Sequence, residues 1–337
     1  MKEAFEYWLN YKKLSEEELI RLNTIREEDK IFSNESDYKQ LEDELFNKMS
    51  FCQLNSENAH ITVSPTASEL IEKLFETFVD DNTLIISTLV EHPSVVNARN
   101  KQKNIYNLHY YDEIKQLNLS KLKSSIKGFK KVFVYIIGAQ ISTGEITTQV
   151  FFKKLKQTLD ENNIESIFVL DDVHGMYIYP RDYSFFNFII GTAHALIRPY
   201  DMGILIHNDT LNKQEYEIGE KVYNWVYRYI TKLDTILERK DKLFMLGQIL
   251  NEYFAKYTDF QRYTDNIPNI YAIKTPYKTF TQKMRDNLNA YEICLEIADK
   301  TQGGIIRFRA QQFITFPDYL LKGLNVLDKI LYTMQRF

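Results

Sequence analysis

Two adjacent carboxylates, Asp171 and Asp172, close the apolar run Ile167-Phe168-Val169-Leu170. An apolar run of strand length that ends in polar groups reads as a buried parallel strand. Such a strand delivers side chains at its carboxyl end, the edge where open α/β sheets bind ligands. A second run, Phe188-Ile189-Ile190-Gly191, ends in Thr192-Ala193-His194-Ala195, and a third, Met202 to Ile206, follows Pro199. Three polar-tipped strands close together can build one site. Upstream, Thr66-Ala67-Ser68 stands between a strand and a helix. The free amides and dipole of a helix start favour a phosphate there, and a plain Ser/Thr N-cap is the competing reading. Glu91-His92-Pro93-Ser94 places an imidazole at another strand end, where a polar loop residue is equally at home. Arg307, in Gly304-Ile305-Ile306-Arg307-Phe308-Arg309, can fork onto a carboxylate or lie solvated on a strand.

The elements that must position these groups alternate. Ile61-Thr62-Val63 is a short strand and Glu69 to Phe78 an amphipathic helix, with Leu70, Ile71, Leu74 and Phe75 on one face. Thr83 to Leu89 and Lys131 to Ile137 are strands, and Phe151 to Asn162 is a crossover helix. Repeated strand–helix alternation predicts an α/β fold with a three-layer, mostly parallel, doubly wound sheet and a smaller α+β C-terminal domain. That second domain is predicted from a strand near Asn269 to Ile273, a helix over Thr281 to Asp299, a strand over Ile305 to Arg309 and a last helix from Pro317. The charged segment Glu3 to Lys48 carries helical spacing, and Lys213 to Tyr257 is mostly helical in pattern. The expected division is a helical arm over 1–55, a large domain over 56–262 and a small domain over 263–337.

With 337 residues the chain is long enough for a large core and two domains. A net charge of −4 with interspersed Lys and Glu gives no basic stripe, so nucleic acid is not an expected partner. Cys52 and Cys294 form neither a disulfide framework nor a metal-ligand spacing, which suits a reducing cytoplasm, and no metal is expected. Cys294, in helical spacing among Tyr291, Ile293, Leu295 and Ile297, reads as a buried structural thiol. The heavily charged start and the lack of any apolar run near ~18 residues predict a soluble cytoplasmic protein without a membrane span or signal peptide.

Taken in order, these segments resemble the aminotransferase class V and cysteine desulfurase branch of the fold type I pyridoxal phosphate enzymes. Asp171-Asp172-Val173-His174 resembles that family's Asp-x-Ala/Val-Gln/His, and Thr192-Ala193-His194-Ala195 with Pro199 and Gly203 resembles its Ser-x-His-Lys, Pro, Gly. The resemblance implies pyridoxal 5′-phosphate as cofactor. Thr66, Ala67, Ser68, Thr192 and His194 would hold its phosphate, and His92 would stack on its ring as a catalytic residue. Asp171 would pair with the ring nitrogen. His174, oriented by Asp172, and Gln140 would lie on the ring-hydroxyl side. Arg307 would take the carboxylate of an amino-acid substrate, with Phe313, Thr315 and Asp318 completing the small-domain pattern. The resemblance also implies a homodimer.

Ala195 stands where the family has its Schiff-base lysine, the main catalytic position. The implied parent is an aminotransferase or lyase acting on an amino acid through a Schiff base with the cofactor. Cysteine desulfuration is disfavoured, because Cys294 has no loop setting. The reading adopted is a lysine-to-alanine substitution that leaves an inactive variant still able to take cofactor or its amino-acid adduct. The alternatives are a natural pseudoenzyme of this fold acting as a binding or regulatory partner, and a pyridoxamine phosphate enzyme with His194 as base.

Overall fold

A computed structural model describes residues 40, 43–45, 47, 59–64, 66–108, 117–141, 143–176, 179, 181–192, 203–208, 240–262, 270–277, 279–291, 293–299, 303–309 and 317–334. Apart from residues 40, 43–45 and 47, which are helical, the expected N-terminal arm lies outside these residues, as do the segment holding Ala193, His194, Ala195 and Pro199, and Phe313 and Thr315. The chain divides into two compact units. One takes the described residues of Ile25–Ala139 and Thr147–Asp234, and the other those of Gln140–Ile146 and Thr235–Phe337.

The first unit is an α/β body. Its strands are β1 (Ala59–Ser64), β2 (Thr83–Thr88), β3 (Ile105–Leu108), β4 (Lys131–Ile137), β5 (Glu165–Asp171), β6 (Phe188–Thr192) and β7 (Gly203–Asn208). They form one sheet in the order β1-β7-β6-β5-β4-β2-β3. Pairs β2–β3, β2–β4, β4–β5 and β5–β6 are parallel, whereas β7 runs antiparallel to both β6 and β1. The sheet is thus mixed and mostly parallel. Its helices are α1 (Ala67–Phe78), α2 (Pro93–Asn100), α3 (Leu119–Ser125) and α4 (Gln149–Glu161).

Side-chain alternation along the strands sorts the two faces. Ile85, Phe133, Tyr135, Val169, Phe188, Ile190 and Leu205 pack with Leu70, Ile71, Leu74 and Phe75 of α1 and Val95 and Ala98 of α2. Phe75 sits edge-on to Phe133 at 5.1 Å between ring centres and 5.7 Å from Tyr135. Burying one such side chain contributes about 1.5–3 kcal/mol. Against the opposite face, Phe152 of α4 packs on Phe186, and Phe168 of β5 on Phe185.

Beyond β5 the chain is fixed by a buried ion pair. Arg181 Nε lies 3.4 Å from Asp172 Oδ1, both side chains being fully enclosed, and Tyr183 Oη donates to Asp172 Oδ2. The same guanidinium donates to the carbonyls of Thr147 and Gly138. A Cβ on Gly138 or Gly175 would collide with Asp172 Oδ1 at 2.4 and 2.3 Å, so both glycines make room for the carboxylate. Successive residues of a strand point to opposite faces, so Asp171 and Asp172 serve different sides of the sheet.

The second unit carries an antiparallel sheet, β8 (Gln261–Arg262), β9 (Ile270–Thr275), β10 (Ile293–Asp299) and β11 (Gly303–Arg309), in the order β10-β11-β9-β8. Its helices are α5 (Lys240–Phe254), α6 (Gln282–Asn289) and α7 (Pro317–Met334). The helix expected over Thr281 to Asp299 is two elements. Ile293-Cys294-Leu295 alternates buried, half-buried, buried, the period of a strand rather than a helix. Cys294 is accordingly a half-buried strand residue, opposite Arg307.

Removing one partner of a buried ion pair leaves the other charge uncompensated. Arg181→Met is expected to lower folding stability by about 3–5 kcal/mol, whereas Tyr183→Phe loses one hydrogen bond, about 1–3 kcal/mol. Urea unfolding of both variants checks the order, and an Arg181→Met midpoint equal to that of the unsubstituted chain would contradict it.

Candidate functional site

The carboxyl ends of β2, β4, β5 and β6 share one edge of the sheet. Ile137 is level with Asp171, Asp171 is level with Ile190, and Thr192 lies two residues beyond. Thr192 pairs with Gly203, which pairs with Ser64, so the end of β1 reaches the same edge through β7. The strand order reverses between β2 and β4, because the chain leaves β2 for β3 and returns past β2 to β4. A crevice at the carboxyl ends beside such a reversal is where open α/β sheets take ligands.

Asp171 belongs to the α1–α2 face, in line with Val169. It is 3 % exposed, and its Oδ2 accepts from Tyr135 Oη at 3.1 Å. Burial pushes its carboxyl up to about 6, and the charge of Asp172 adds to this. The hydrogen bonds from Tyr135 and from the Val173 amide act against the rise. No cation contacts it among the described residues. Glu91 is buried beside this group. Its Oε1 accepts from the amide and hydroxyl of Thr88 and from the Ile137 amide, while Oε2 has no hydrogen-bond partner among the described residues. Burial raises its carboxyl to about 8, with the charge of Asp171 contributing. Tyr135 is held well above the usual phenol range by burial and then by these two carboxylates.

Two helix starts open on the same face. Thr66 caps α1 by accepting from Glu69 N at 3.3 Å, so the capping reading holds at that residue. His92 caps α2, its Nδ1 accepting from Ser94 N at 3.3 Å. The helices are joined by Ser68 Oγ and Ser94 Oγ, 2.6 Å apart, and Ser94 Oγ lies 3.1 Å from His92 Nδ1. A Cβ on Gly203 would fall 2.5 Å from Ala67 N, so only glycine lets β7 approach the start of α1 this closely. Directly opposed residues of an antiparallel pair share a face. Thr192, opposite Gly203, therefore points to the α1 side. The residue is 1 % exposed, and its hydroxyl is buried with no partner among the described residues.

Thr66, Ala67, Ser68, His92, Asp171 and Thr192 are thus carried by one face and one edge of the first unit. His174 is half-buried in the turn after β5. Gln140 belongs to the second unit, where its Oε1 accepts from Thr143 N at 2.7 Å and its amide donates to Glu145 O at 2.9 Å, closing its own loop. Arg307, also in the second unit, is 5 % exposed, which removes the solvated-arginine reading. Its Nη1 donates to Ile141 O at 2.7 Å. Tyr135, Glu91 and Ser94 had no role assigned from the sequence. The tyrosine's signal was a hydroxyl on the inner pleat of an otherwise apolar strand.

No known family model matches the chain, and no curated protein does. Solved structures do. A NifS-like protein from Rickettsia africae is 16 % identical, with 89 % of this chain and 91 % of that one covered at a TM-score of 0.68. A multiple substrate aminotransferase from Thermococcus profundus is 14 % identical, covering 100 % and 89 % at 0.63. Sphingomonas wittichii serine palmitoyltransferase is 14 % identical, covering 87 % and 77 % at 0.60. At these identities the likeness shows the fold, that of the pyridoxal phosphate transferases. Among the described residues no helix is long and apolar enough to cross a membrane, and no cluster of metal-ligating side chains occurs.

The raised carboxyls fix the sign of a pH dependence. A folded pKa of about 6 at Asp171 lies above the unfolded value near 4. Its stability contribution is therefore complete below about pH 4 and lost as pH rises to about 6, a change of about 3 kcal/mol. Glu91 extends the loss to about 8. Asp171→Asn is expected to make the dependence shallower between about pH 4 and 6, where the loss from Glu91 remains, and to leave the loss at higher pH. Urea midpoints across this range check it, and an unchanged slope in the variant would contradict it.

Proposed function

We propose that the carboxyl edge of the large sheet holds pyridoxal 5′-phosphate without a covalent bond, in a chain whose parent is an aminotransferase or lyase acting on an amino acid. The observation that carries this reading is Asp171, a buried carboxylate at the carboxyl edge of the sheet one strand from its reversal, braced by Tyr135 and without a cation among the described residues. A protonated ring nitrogen supplies that cation. Desolvation then changes sign in its effect, since a buried charge with a partner is stable where an isolated one is not. The phosphate end is supported by the Thr192 hydroxyl, buried without a partner among the described residues, and by its place on the same side as the start of α1. When bound, the cofactor supplies an electron sink for charge developing at an amino acid's α-carbon.

The chain's own residues divide the remaining work. Asp171 keeps a proton on the ring nitrogen, and Tyr135 fixes the carboxylate's orientation. His92, at the start of α2, offers its imidazole face to the ring. Arg307, in the second unit, is the residue to which the resemblance gives the substrate carboxylate. In this reading Ala195 occupies the lysine position, so ligand and amino acid are retained and turnover is lost.

Ala195→Lys tests this directly. Incubated with pyridoxal phosphate and then borohydride, the variant is expected to gain the mass of one reduced cofactor on the peptide containing residue 195, and the unsubstituted chain none. Asp171→Ala is expected to weaken cofactor binding at least tenfold by equilibrium dialysis, about 1.4 kcal/mol or more. A variant that binds cofactor but is never labelled at residue 195 would overturn the lysine assignment. Undiminished binding by Asp171→Ala would overturn the site.

A further inference from the structure

Two donors of different kinds bond the Asp171 carboxylate. The Val173 amide reaches Oδ1 at 3.4 Å, a long bond that any residue but proline could make at 173. The Tyr135 phenol reaches Oδ2 at 3.1 Å from the neighbouring strand β4. Tyr135 is wholly buried, and its ring packs on that of Phe75. Its hydroxyl is the one polar side-chain atom between Val132 and Ile137. A phenylalanine would pack as well there, so packing does not account for the hydroxyl. Burial, with Asp171 and Glu91 beside it, holds this phenol well above its usual range, so toward Asp171 it is always a donor.

We propose that Tyr135 is a positioning residue that decides where the single proton shared by Asp171 and a basic ring nitrogen sits, holding it on the nitrogen. This rests on the cofactor reading of the site. Such a pair has two forms, a carboxylate against a protonated ring and a neutral carboxyl against a neutral ring. Removal from water favours the second, which carries no charge. A hydrogen bond to a carboxylate is stronger than one to a carboxyl group, so the Tyr135 hydroxyl favours the first. One proton moves between the Asp171 oxygen and the nitrogen, and nothing else is made or broken. The protonated ring is the stronger electron sink, so Tyr135 acts on the chemistry without touching the ligand. The other ionisable groups on the elements around Asp171 are Asp172 and His174 after β5, Glu91, His92 and Arg99 after β2, and Glu69 on α1. Arg99 is turned to the Thr88 carbonyl and the Ser87 hydroxyl, and Asp172 to Arg181.

Tyr135→Phe keeps the ring and its packing and removes the donor. In the full chain without ligand, ¹³C-labelled aspartate reports the Asp171 carboxyl, assigned by its loss in Asp171→Asn. Its midpoint, about 6 in the unsubstituted chain, is expected about one pH unit higher in Tyr135→Phe, a roughly tenfold tighter hold on the proton. Pyridoxal phosphate labelled with ¹⁵N in the ring is then bound to each protein at neutral pH. The nitrogen signal is expected nearer the unprotonated region in Tyr135→Phe, with the ratio of protonated to unprotonated nitrogen about tenfold lower. Glu91→Gln removes a nearby acid but no hydrogen bond to Asp171, and should leave both signals where they are. A midpoint unmoved by Tyr135→Phe would overturn the proposal, as would a moved midpoint with an unmoved nitrogen signal. Equal shifts in Glu91→Gln would also overturn it, showing disturbed packing rather than the lost donor to be the cause. A moved midpoint in a chain that binds no pyridoxal phosphate, with or without the substitution, would overturn the cofactor reading, and the ring-nitrogen role of Tyr135 with it.

Discussion

The Asp171 carboxylate is taken out of water at the end of β5 and given hydrogen bonds but, among the described residues, no counter-charge. Much of the large unit serves that arrangement. Phe75 packs on Tyr135, whose hydroxyl bonds Asp171, so the apolar contact between α1 and β4 reaches the site through one side chain. On the other face, Asp172 is neutralised by Arg181 and enclosed by glycines, which fixes the turn after β5 without drawing Asp171 toward it. Two neighbouring carboxylates thus have opposite fates. The paired one is part of the scaffold, and the other meets no counter-charge among the described residues. Such division is expected where a pKa is held away from its ordinary value for use.

The helix starts follow from the same packing. The buried stripe of α1 sets its axis against β6 and β7, and this brings Ala67 to Gly203. Pro93 at the start of α2 fixes the neighbouring turn. Ser68 and Ser94 then meet because both helices lie on one sheet face with their N-termini at one edge.

Much of this was legible in the residues. Lys131 to Ile137 was bounded by its charge at one end and Gly138 at the other, and a strand buried on both faces leaves a continuous apolar run. The α/β class followed from the alternation of such runs with amphipathic segments. The misreadings were local. Ile293 to Asp299 carries apolar residues at a spacing that fits a strand, and the Asn-rich break before it was given too little weight. The ion pair of Asp172 with Arg181 had no local signal in the sequence. Tyr135 and Ser94 could not be singled out, because each acts through a partner on a different element. The order Thr66, His92, Asp171, Thr192 and Arg307 was readable as a resemblance. The geometry now places the first four on one face.

The most direct measurement is the ¹⁵N chemical shift of the ring nitrogen of ¹⁵N-labelled pyridoxal phosphate bound to this chain, followed with pH. With Asp171 as its partner, the bound nitrogen is predicted to stay protonated well above the pH at which the free cofactor loses that proton, and to lose it early in Asp171→Asn. A bound nitrogen that titrates as it does in water, or alike in both proteins, would contradict the account.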